Sequence, residues 1–177
     1  MIESRFWKEH LRKYVRSLKR SNRPSRWSER ALCNFERDLI IHFFSVRKLV
    51  ELHKVSSRTR NHQVTVFLCK SKGVPVTRLN RVAMWDLYQF EKQVEKKRSL
   101  LFIANQFIHS YLIVPYKDEA RKWDGVLVCS DFERNNAIYR VPLSEIQKAL
   151  LIASEDRPTR MDMKYDHTIK DYQVTTD

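Results

Sequence analysis

Apolar residues near the start of the chain recur at spacings of three and four, the period of an amphipathic helix. They predict one helix over residues 5–20 and a second, longer helix from about Arg26 to about Lys54. The residues between them include Pro24, which is typical of a helix break. Such a short linker predicts two antiparallel neighbours, an N-terminal helical hairpin.

The middle of the chain alternates between strand and helix patterns. A run rich in β-branched residues from Val64 to Cys69 predicts a strand. The charged stretch from Asp86 to Lys97 predicts a helix with an exposed charged face. Residues Leu100 to Ser110 carry apolar positions at helical spacing, so we expect a buried helix that runs into a strand.

Three short apolar segments predict a meander of antiparallel strands. They span Tyr111 to Pro115, Val126 to Ser130 and Ala137 to Val141, and polar turn residues precede the third. Ser144 is then expected to cap a short helix that buries Ile146, Leu150 and Ala153. After Ser154 the periodicity disappears and no further element is predicted.

These elements together predict an α+β fold with a small antiparallel sheet. We expect a single domain over residues 1–153, made of the basic helical hairpin 1–54 and a mixed helix and strand part 63–153. Residues 154–177 form a polar, mildly acidic tail in this prediction. The tail is either mobile or lies against the basic first helix.

The charge is concentrated at the start of the chain. There are 34 Lys and Arg against 21 Asp and Glu, a net charge of +13. Residues 1–60 contain 16 basic and 6 acidic side chains, a net of +10. Because concentrated like charge costs self-repulsion, it often serves a polyanionic partner, either nucleic acid or an acidic protein.

The first helix is therefore the candidate nucleic-acid surface. Its phosphate-binding candidates are Arg12, Lys13, Arg16, Lys19, Arg20 and Arg23. The same helix carries Trp7 and Tyr14. These rings either stack on bases, if they are exposed, or anchor the helix in the core.

Several classes of function find no motif here. The chain has two glycines, 52 positions apart, so glycine-rich phosphate loops and the G-x-S-x-G elbow are absent from the sequence. Its six histidines show no H-x3-H or H-E-x-x-H spacing, and three widely spaced cysteines do not form a zinc pattern. No apolar run reaches the roughly 18 residues of a membrane span. We expect a cytoplasmic protein with no membrane contact, no metal and no cofactor.

One polar cluster interrupts the apolar segment after Leu100. On a helix Asn105 and His109 share a face, and so do Gln106 and Ser110. Buried polar side chains must find partners, so the cluster is either a hydrogen-bond network that fixes the fold or a catalytic group with His109 as general acid or base.

The stretch Ala104-Asn-Gln-Phe-Ile-His109-Ser resembles the arginine–asparagine–x3–histidine motif of HEPN-domain proteins. The resemblance implies a small helical bundle with an RNA-cleaving site formed across a dimer, often in toxin–antitoxin and phage-defence systems. Asn105 and His109 match the motif, whereas Ala104 stands at the arginine position. Other arginine–histidine pairs have four to six residues between them, including Arg47 and His53, and among these Arg37 and His42 fit best.

The sequence therefore favours a non-enzymatic basic protein that binds nucleic acid or an acidic protein through its N-terminal helix. The alternative is a HEPN-like ribonuclease, or an inactive relative, that uses His109 and a nearby basic residue. A homo-oligomeric structural protein is a third class, because the second helix carries a wide apolar face.

Overall fold

The structure is a computed structural model that describes residues 3–18 and 26–177. The helices are α1 (Ser4–Ser17), α2 (Glu29–Glu51), α3 (Ser57–Arg60), α4 (Met84–Leu87), α5 (Leu100–Ile108) and α6 (Leu143–Glu155). The strands are β1 (Gln63–Lys70), β2 (Val94–Ser99), β3 (Ser110–Lys117), β4 (Trp123–Ser130), β5 (Ala137–Pro142), β6 (Met161–Asp166) and β7 (Asp171–Thr176). The predicted α+β class is confirmed.

The two N-terminal helices lie where the periodicity predicts them. α1 buries Leu11 and Tyr14, and α2 buries a stripe that includes Phe35, Leu39 and Phe43. The hydroxyl of Ser28 accepts a hydrogen bond from Ala31 N and caps α2, so this helix begins three residues later than predicted. The last two residues predicted for the first helix lie outside the described residues.

A five-stranded antiparallel sheet forms the centre of the fold, in the order β2-β1-β5-β4-β3. The predicted meander is confirmed, since β4 pairs with both β3 and β5. β5 also pairs with β1, which adds β1 and β2 to the same sheet.

The sheet has two differently covered faces, and alternate residues of β4 serve them. Val126 and Val128 lie in the core beneath the long helices α2, α5 and α6. Leu127 and Cys129 point to the opposite face, where they pack with residues of the irregular segment 71–92. Those covering residues are Val76, Met84, Leu87 and Tyr88. This segment covers only part of its face, which leaves room for the pocket described below.

The predicted helix from Asp86 to Lys97 is wrong. α4 ends at Leu87, a 3-10 turn follows at Phe90–Lys92, and the remaining residues form the edge strand β2. Pairing with β1 overrides the local helical preference of a lysine- and glutamate-rich sequence. The same charges suit a sheet edge, because they discourage pairing with another chain.

The start of α6 also differs from the prediction. Pro142 stands at the N-cap position without a side-chain cap, and Ser144 lies inside the helix. Proline has its φ fixed, which suits a residue at this boundary. The predicted burial of Ile146, Leu150 and Ala153 is confirmed.

The C-terminal residues, for which no element was predicted, form the β6–β7 hairpin. Met163 pairs with Val174 and Tyr165 with Tyr172, so one face of the hairpin is apolar. Thr176 is buried, and its Oγ1 donates a hydrogen bond of 2.8 Å to Val55 O. This contact ties the hairpin to the chain just after α2.

Candidate nucleic-acid interface and arginine–histidine cluster

A basic cleft of about 630 Å³ lies between α1, the end of α2 and the residues that follow α6. Its walls are Ser4, Arg5, Lys8, Arg12, His53, Lys54, Arg157, Pro158 and Met161. Within the described part of the chain, the lining contains no acidic side chain. Basic side chains from three distant stretches of sequence therefore converge on one concave surface.

Lys8 forms the buried floor of this cleft and is only 6% exposed. Its Nζ donates hydrogen bonds of 2.6 Å to Lys54 O and to Asp156 O. Burial lowers the pKa of Lys8, and the neighbouring Asp156 opposes that effect. The ammonium joins α1 to the ends of α2 and α6, so it has a structural role besides its charge.

Arg12 is the one predicted phosphate-binding residue that lines the cleft among those the structure describes. Its Nη1 donates a hydrogen bond of 3.1 Å to Ser154 O near the end of α6. A cation at a helix C-terminus complements the macrodipole, so this contact also stabilises the fold. Arg5 and Arg157 are more exposed and are better placed to meet an incoming anion.

The other predicted binding residues lie elsewhere. Lys13 is exposed and pairs with Glu9 at 2.8 Å, and Arg16 is exposed on the same helix. The remaining predicted residues, Lys19, Arg20 and Arg23, lie outside the described residues.

The aromatic residues of α1 belong to the core. Tyr14 is buried and stacks on His42, with ring centroids 3.8 Å apart and an interplanar angle of 8°. Trp7 is half-buried and packs against the same core. The reading of these two rings as core anchors is confirmed, and base stacking by α1 is not supported by this geometry.

A second group, the arginine–histidine cluster, consists of Arg47 and Glu51 on α2 with Asn105 and His109 from the end of α5. Arg47 Nη1 donates a hydrogen bond of 3.0 Å to Asn105 Oδ1 and lies 3.4 Å from His109 Nε2. Arg47 Nε donates to Glu51 Oε1 over 2.6 Å. Lys48 Nζ contacts the other carboxylate oxygen of Glu51 at 2.8 Å.

Helix packing explains why these side chains meet. Arg47 and Glu51 are four residues apart on α2, and Asn105 on α5 has the same spacing from His109, the C-cap residue of that helix. The two helices pack through Phe43 and the ring of Phe107, which are stacked with centroids 4.2 Å apart. The cluster lies at the solvent edge of this contact, where His109 is exposed and Arg47 half-buried.

The cluster combines groups that phosphate chemistry uses. An imidazole can act as a general acid or base, and a guanidinium can bind two phosphate oxygens at once. Hydrogen bonds from Lys48 and Arg47 lower the pKa of Glu51, which keeps this carboxylate ionised. The charge of Glu51 in turn holds Arg47 in place beside His109.

The polar residues of the α5 segment lie in two different environments. Gln106 is buried, and its Oε1 accepts a hydrogen bond of 2.9 Å from Ser130 N on β4. Gln106 therefore belongs to a structural network, whereas Asn105 and His109 reach the surface. The sequence left both interpretations open for the whole cluster, and the structure supports the structural one for Gln106.

The pair Arg37 and His42 has a structural explanation. Arg37 is bound to the carboxylate of Asp38, its neighbour in the chain. The His42 ring stacks on Tyr14, its Nδ1 contacts Asp38 O, and burial lowers its pKa. This pair does not form a surface site.

Sequence reasoning missed several residues of both sites. Arg47 was matched by spacing with His53, but its partner in space is His109. Lys54 and Arg157 belong to the basic cleft although 103 positions separate them. The sequence shows an excess of basic residues, but this excess does not indicate which distant segments come together in the fold.

Two further properties concern the described residues as a whole. Residues 3–18 and 26–177 contain no helix with the length and apolar character needed to cross a membrane. The same residues contain no group of three or more His, Cys, Asp and Glu side chains placed to hold a metal ion.

Comparison with protein-family models, curated proteins and solved structures gave no match to this chain. The resemblance of residues 104–110 to the HEPN motif stays a prediction.

Proposed function

We propose that the protein binds the phosphate backbone of nucleic acid in the basic cleft. The observation that carries this proposal is the convergence of Arg5, Lys8, Arg12, His53, Lys54 and Arg157 on one concave surface. Such a surface binds a polyanion more tightly than it binds a small anion. The basic side chains neutralise several phosphates of the polyanion at once, and the counterions that surround those phosphates are released.

The cleft offers both fixed and adjustable positive charge. Lys8 and Arg12 are held by backbone carbonyls, whereas Arg5 and Arg157 are exposed and can follow the path of a strand. Phosphate contacts position a nucleic acid without reading its sequence. We therefore expect binding with little sequence preference and with a steep dependence on salt.

The test measures binding of labelled single-stranded RNA and duplex DNA over a series of salt concentrations. The variant carries Arg5→Glu and Arg157→Glu, and the matched control carries Lys96→Glu and Lys97→Glu on the edge strand β2. We expect the cleft variant to lose affinity and to show a salt slope smaller by about one for each lost phosphate contact. The control should change both quantities less.

Two outcomes would contradict the proposal. One is an unchanged affinity and salt slope in the cleft variant. The other is the absence of binding by the unaltered protein at low salt, which would direct the search to an acidic protein partner instead.

A second candidate function is cleavage of RNA at the arginine–histidine cluster. It is favoured by the position of Arg47 Nη1 between Asn105 Oδ1 and His109 Nε2. In the HEPN-like motif an arginine is expected at position 104, where this chain has Ala104. Arg47 brings a guanidinium to His109 from another helix, and this guanidinium can take the place of the arginine that is missing at position 104.

The reaction would be attack of a ribose 2′-hydroxyl on the adjacent phosphate. The bond from the 2′-oxygen to phosphorus forms, the bond to the 5′-oxygen breaks, and the products are a 2′,3′-cyclic phosphate and a 5′-hydroxyl. His109 would accept the proton of the 2′-hydroxyl, the departing 5′-oxygen would take a proton from solvent water, and Arg47 would stabilise the negative charge on the phosphoryl oxygens.

Labelled RNA that has been incubated with the protein and resolved on a gel reveals cleavage products. His109→Ala should lower the cleavage rate at least about 100-fold and keep the fold, because this side chain is exposed. His167→Ala, in the β6–β7 turn, is the matched control. Cleavage that persists in His109→Ala would contradict this candidate function.

A further inference from the structure

A second pocket, of about 660 Å³, lies on the sheet face opposite the long helices. It occupies the part of that face which segment 71–92 leaves open. Its lining consists of Trp85, Phe90, Gln93, Tyr116, Lys117, Asp118, Glu119, Ala120, Leu127 and Arg140. We call it the aromatic pocket. It shares no lining residue with the basic cleft.

Aromatic rings from two separate segments form its sides. Trp85 and Phe90 have ring centroids 4.5 Å apart and an interplanar angle of 50°. Tyr116 comes from β3 and belongs to the same lining. Trp85 is 59% exposed, so a large apolar surface is left open at the rim of a concave site.

Arg140 supplies a second flat surface. Its guanidinium lies over the Tyr116 ring at 4.5 Å and over the Phe67 ring at 5.6 Å. The Nη1 contact with Gln93 Oε1 is long, at 3.4 Å, and the Nη2 contact with Asp124 Oδ2 is 3.6 Å. Arg140 Nε is buried and has no hydrogen-bond partner within the described chain. The guanidinium is therefore positioned by ring stacking more than by its polar contacts.

Gly125 makes this arrangement possible. It pairs with Tyr116 across the β3–β4 ladder, and a Cβ atom there would lie 2.5 Å from the Tyr116 hydroxyl. The Tyr116 ring consequently lies close against the backbone of β4. One of the two glycines in the chain thus serves the pocket wall.

The charges of the lining narrow the ligand class. Lys117 and Arg140 are balanced by Asp118 and Glu119, so the pocket has no net formal charge. Such a lining favours neither a polyanion nor an organic cation strongly. It offers flat apolar surfaces together with hydrogen-bond donors and acceptors from Arg140, Gln93 and the carboxylates.

We propose that the aromatic pocket binds a planar nitrogen heterocycle of the nucleobase kind. Every nucleobase has a flat π face that stacks on aromatic rings and on arginine, and an edge with hydrogen-bond donors and acceptors. The volume is within the range of about 300–1,000 Å³ that is usual for small-molecule sites. The source of the heterocycle is either a free nucleoside or an unpaired base in a strand.

This proposal goes beyond the proposed function and does not depend on it. The basic cleft recognises phosphate, whereas the aromatic pocket would recognise a base that carries no phosphate. A free nucleoside consequently tests the pocket alone.

The experiment is calorimetric titration of the full chain with adenosine and cytidine, and separately with a short unstructured RNA. The pocket variant is Trp85→Leu, which removes an exposed ring and is expected to keep the fold. The matched control is Phe132→Leu, because Phe132 is 86% exposed and outside the pocket. We expect the pocket variant to bind adenosine about tenfold more weakly or worse, and the control to bind it unchanged.

The remaining outcomes distinguish the source and the ligand class. If the protein binds RNA but not free nucleosides, and Trp85→Leu weakens the binding of RNA, the proposal is supported and the heterocycle is an unpaired base in a strand. The absence of any Trp85-dependent binding, or tighter binding of choline than of adenosine, would overturn it. The variant Arg5→Glu with Arg157→Glu should bind adenosine normally. A failure of the proposal for the basic cleft can therefore be distinguished from a failure of the proposal for the aromatic pocket.

Discussion

Arg47 Nη1 donates a hydrogen bond of 3.0 Å to Asn105 Oδ1, although 58 positions separate the two residues in the chain. The contact joins α2 to α5 at the surface, above the buried stack of Phe43 and Phe107. It also brings a guanidinium beside His109, which belongs to the same face of α5 as Asn105. The cluster is thus a product of helix packing rather than of a local motif.

Replacement of Arg47 should distinguish a role in RNA cleavage from a role in the stability of the fold. Arg47→Ala is expected to lower RNA cleavage at least about 100-fold if the cluster acts on RNA. It should cost no more than about 1 kcal/mol of unfolding free energy, because half-exposed ion pairs contribute little. The measurements are product formation on a gel and urea unfolding.

Arg37→Ala is the control for this variant, since Arg37 lies on the same helix but pairs with Asp38 only at the surface. A loss of several kcal/mol in Arg47→Ala would instead show that the cluster is mainly a structural tie. Cleavage equal to that of the unaltered protein would remove Arg47 from the proposed chemistry.

The stacked rings of Phe43 and Phe107 should dominate the stability of the helical layer. Both are fully buried, so Phe43→Ala is expected to cost about 3–5 kcal/mol through lost burial and a residual cavity. The neighbouring Phe44 is exposed, and Phe44→Ala should cost about 0.5 kcal/mol. Equal losses in these two variants of α2 would be inconsistent with the packing described.

Asp156 should make the fold sensitive to acid. Desolvation opposes ionisation, but hydrogen bonds from Thr59 and Ser56 and the charge of Lys8 together lower the pKa of its carboxyl. Because this pKa is lower in the folded chain, the stabilisation is present above the ordinary value of 3.8 and is lost as the pH falls below it. Asp156→Asn should cost about 1–3 kcal/mol at pH 7.

The check is urea unfolding of both proteins at pH 7 and near pH 3. The difference in unfolding free energy between them should shrink at the lower pH, because the unaltered carboxyl is then increasingly protonated. A difference that stays constant or grows would mean that the contacts of Asp156 with Ser56, at 2.6 and 2.8 Å, do not depend on its charge.

Gly125→Ala should destabilise the sheet through crowding. The new methyl group would contact Val141 O and the Tyr116 ring, and such overpacking costs about 1–3 kcal/mol. Adding Tyr116→Ala should recover part of this loss, because one of the two crowding groups is then removed. Chemical unfolding of the two single variants and the double variant measures the coupling.

Gly73 provides the contrast. It has a φ of +86° and nothing within 4 Å of an added Cβ, so Gly73→Ala is strained by its backbone alone. Tyr116→Ala should not rescue that variant. Rescue of both glycine variants alike would indicate a general effect of Tyr116 rather than a local contact.

The elements predicted well are those whose signal is local and periodic. α1, α2 and the α5–β3 unit follow repeated apolar spacings, so their positions could be inferred without knowing their neighbours. β2 could not be found in this way, because its charged residues form a strand only through pairing with β1. The β6–β7 hairpin likewise depends on its anchor between Thr176 and Val55.

The candidate sites were predictable only in part. Asn105 and His109 stood out because polar residues interrupted an apolar stretch. Arg47 and Arg157 carried no comparable local signal, since each acquires its role from a segment far away in the chain. Charge concentration predicted that a basic surface exists but placed it on one helix, whereas the structure builds it from three segments.

Lys8 and Asp156, which are in contact, lie 148 positions apart in the chain. During synthesis Lys8 therefore leaves the ribosome well before its partner has been made. At roughly 5–20 residues per second, the ribosome needs about 7–30 s to pass from one residue to the other. During that interval α1 lacks the surface of α6 against which it later packs. The newly synthesised segment that contains α1 is thus exposed to chaperones, and to any polyanion nearby, before the other walls of the basic cleft have been made.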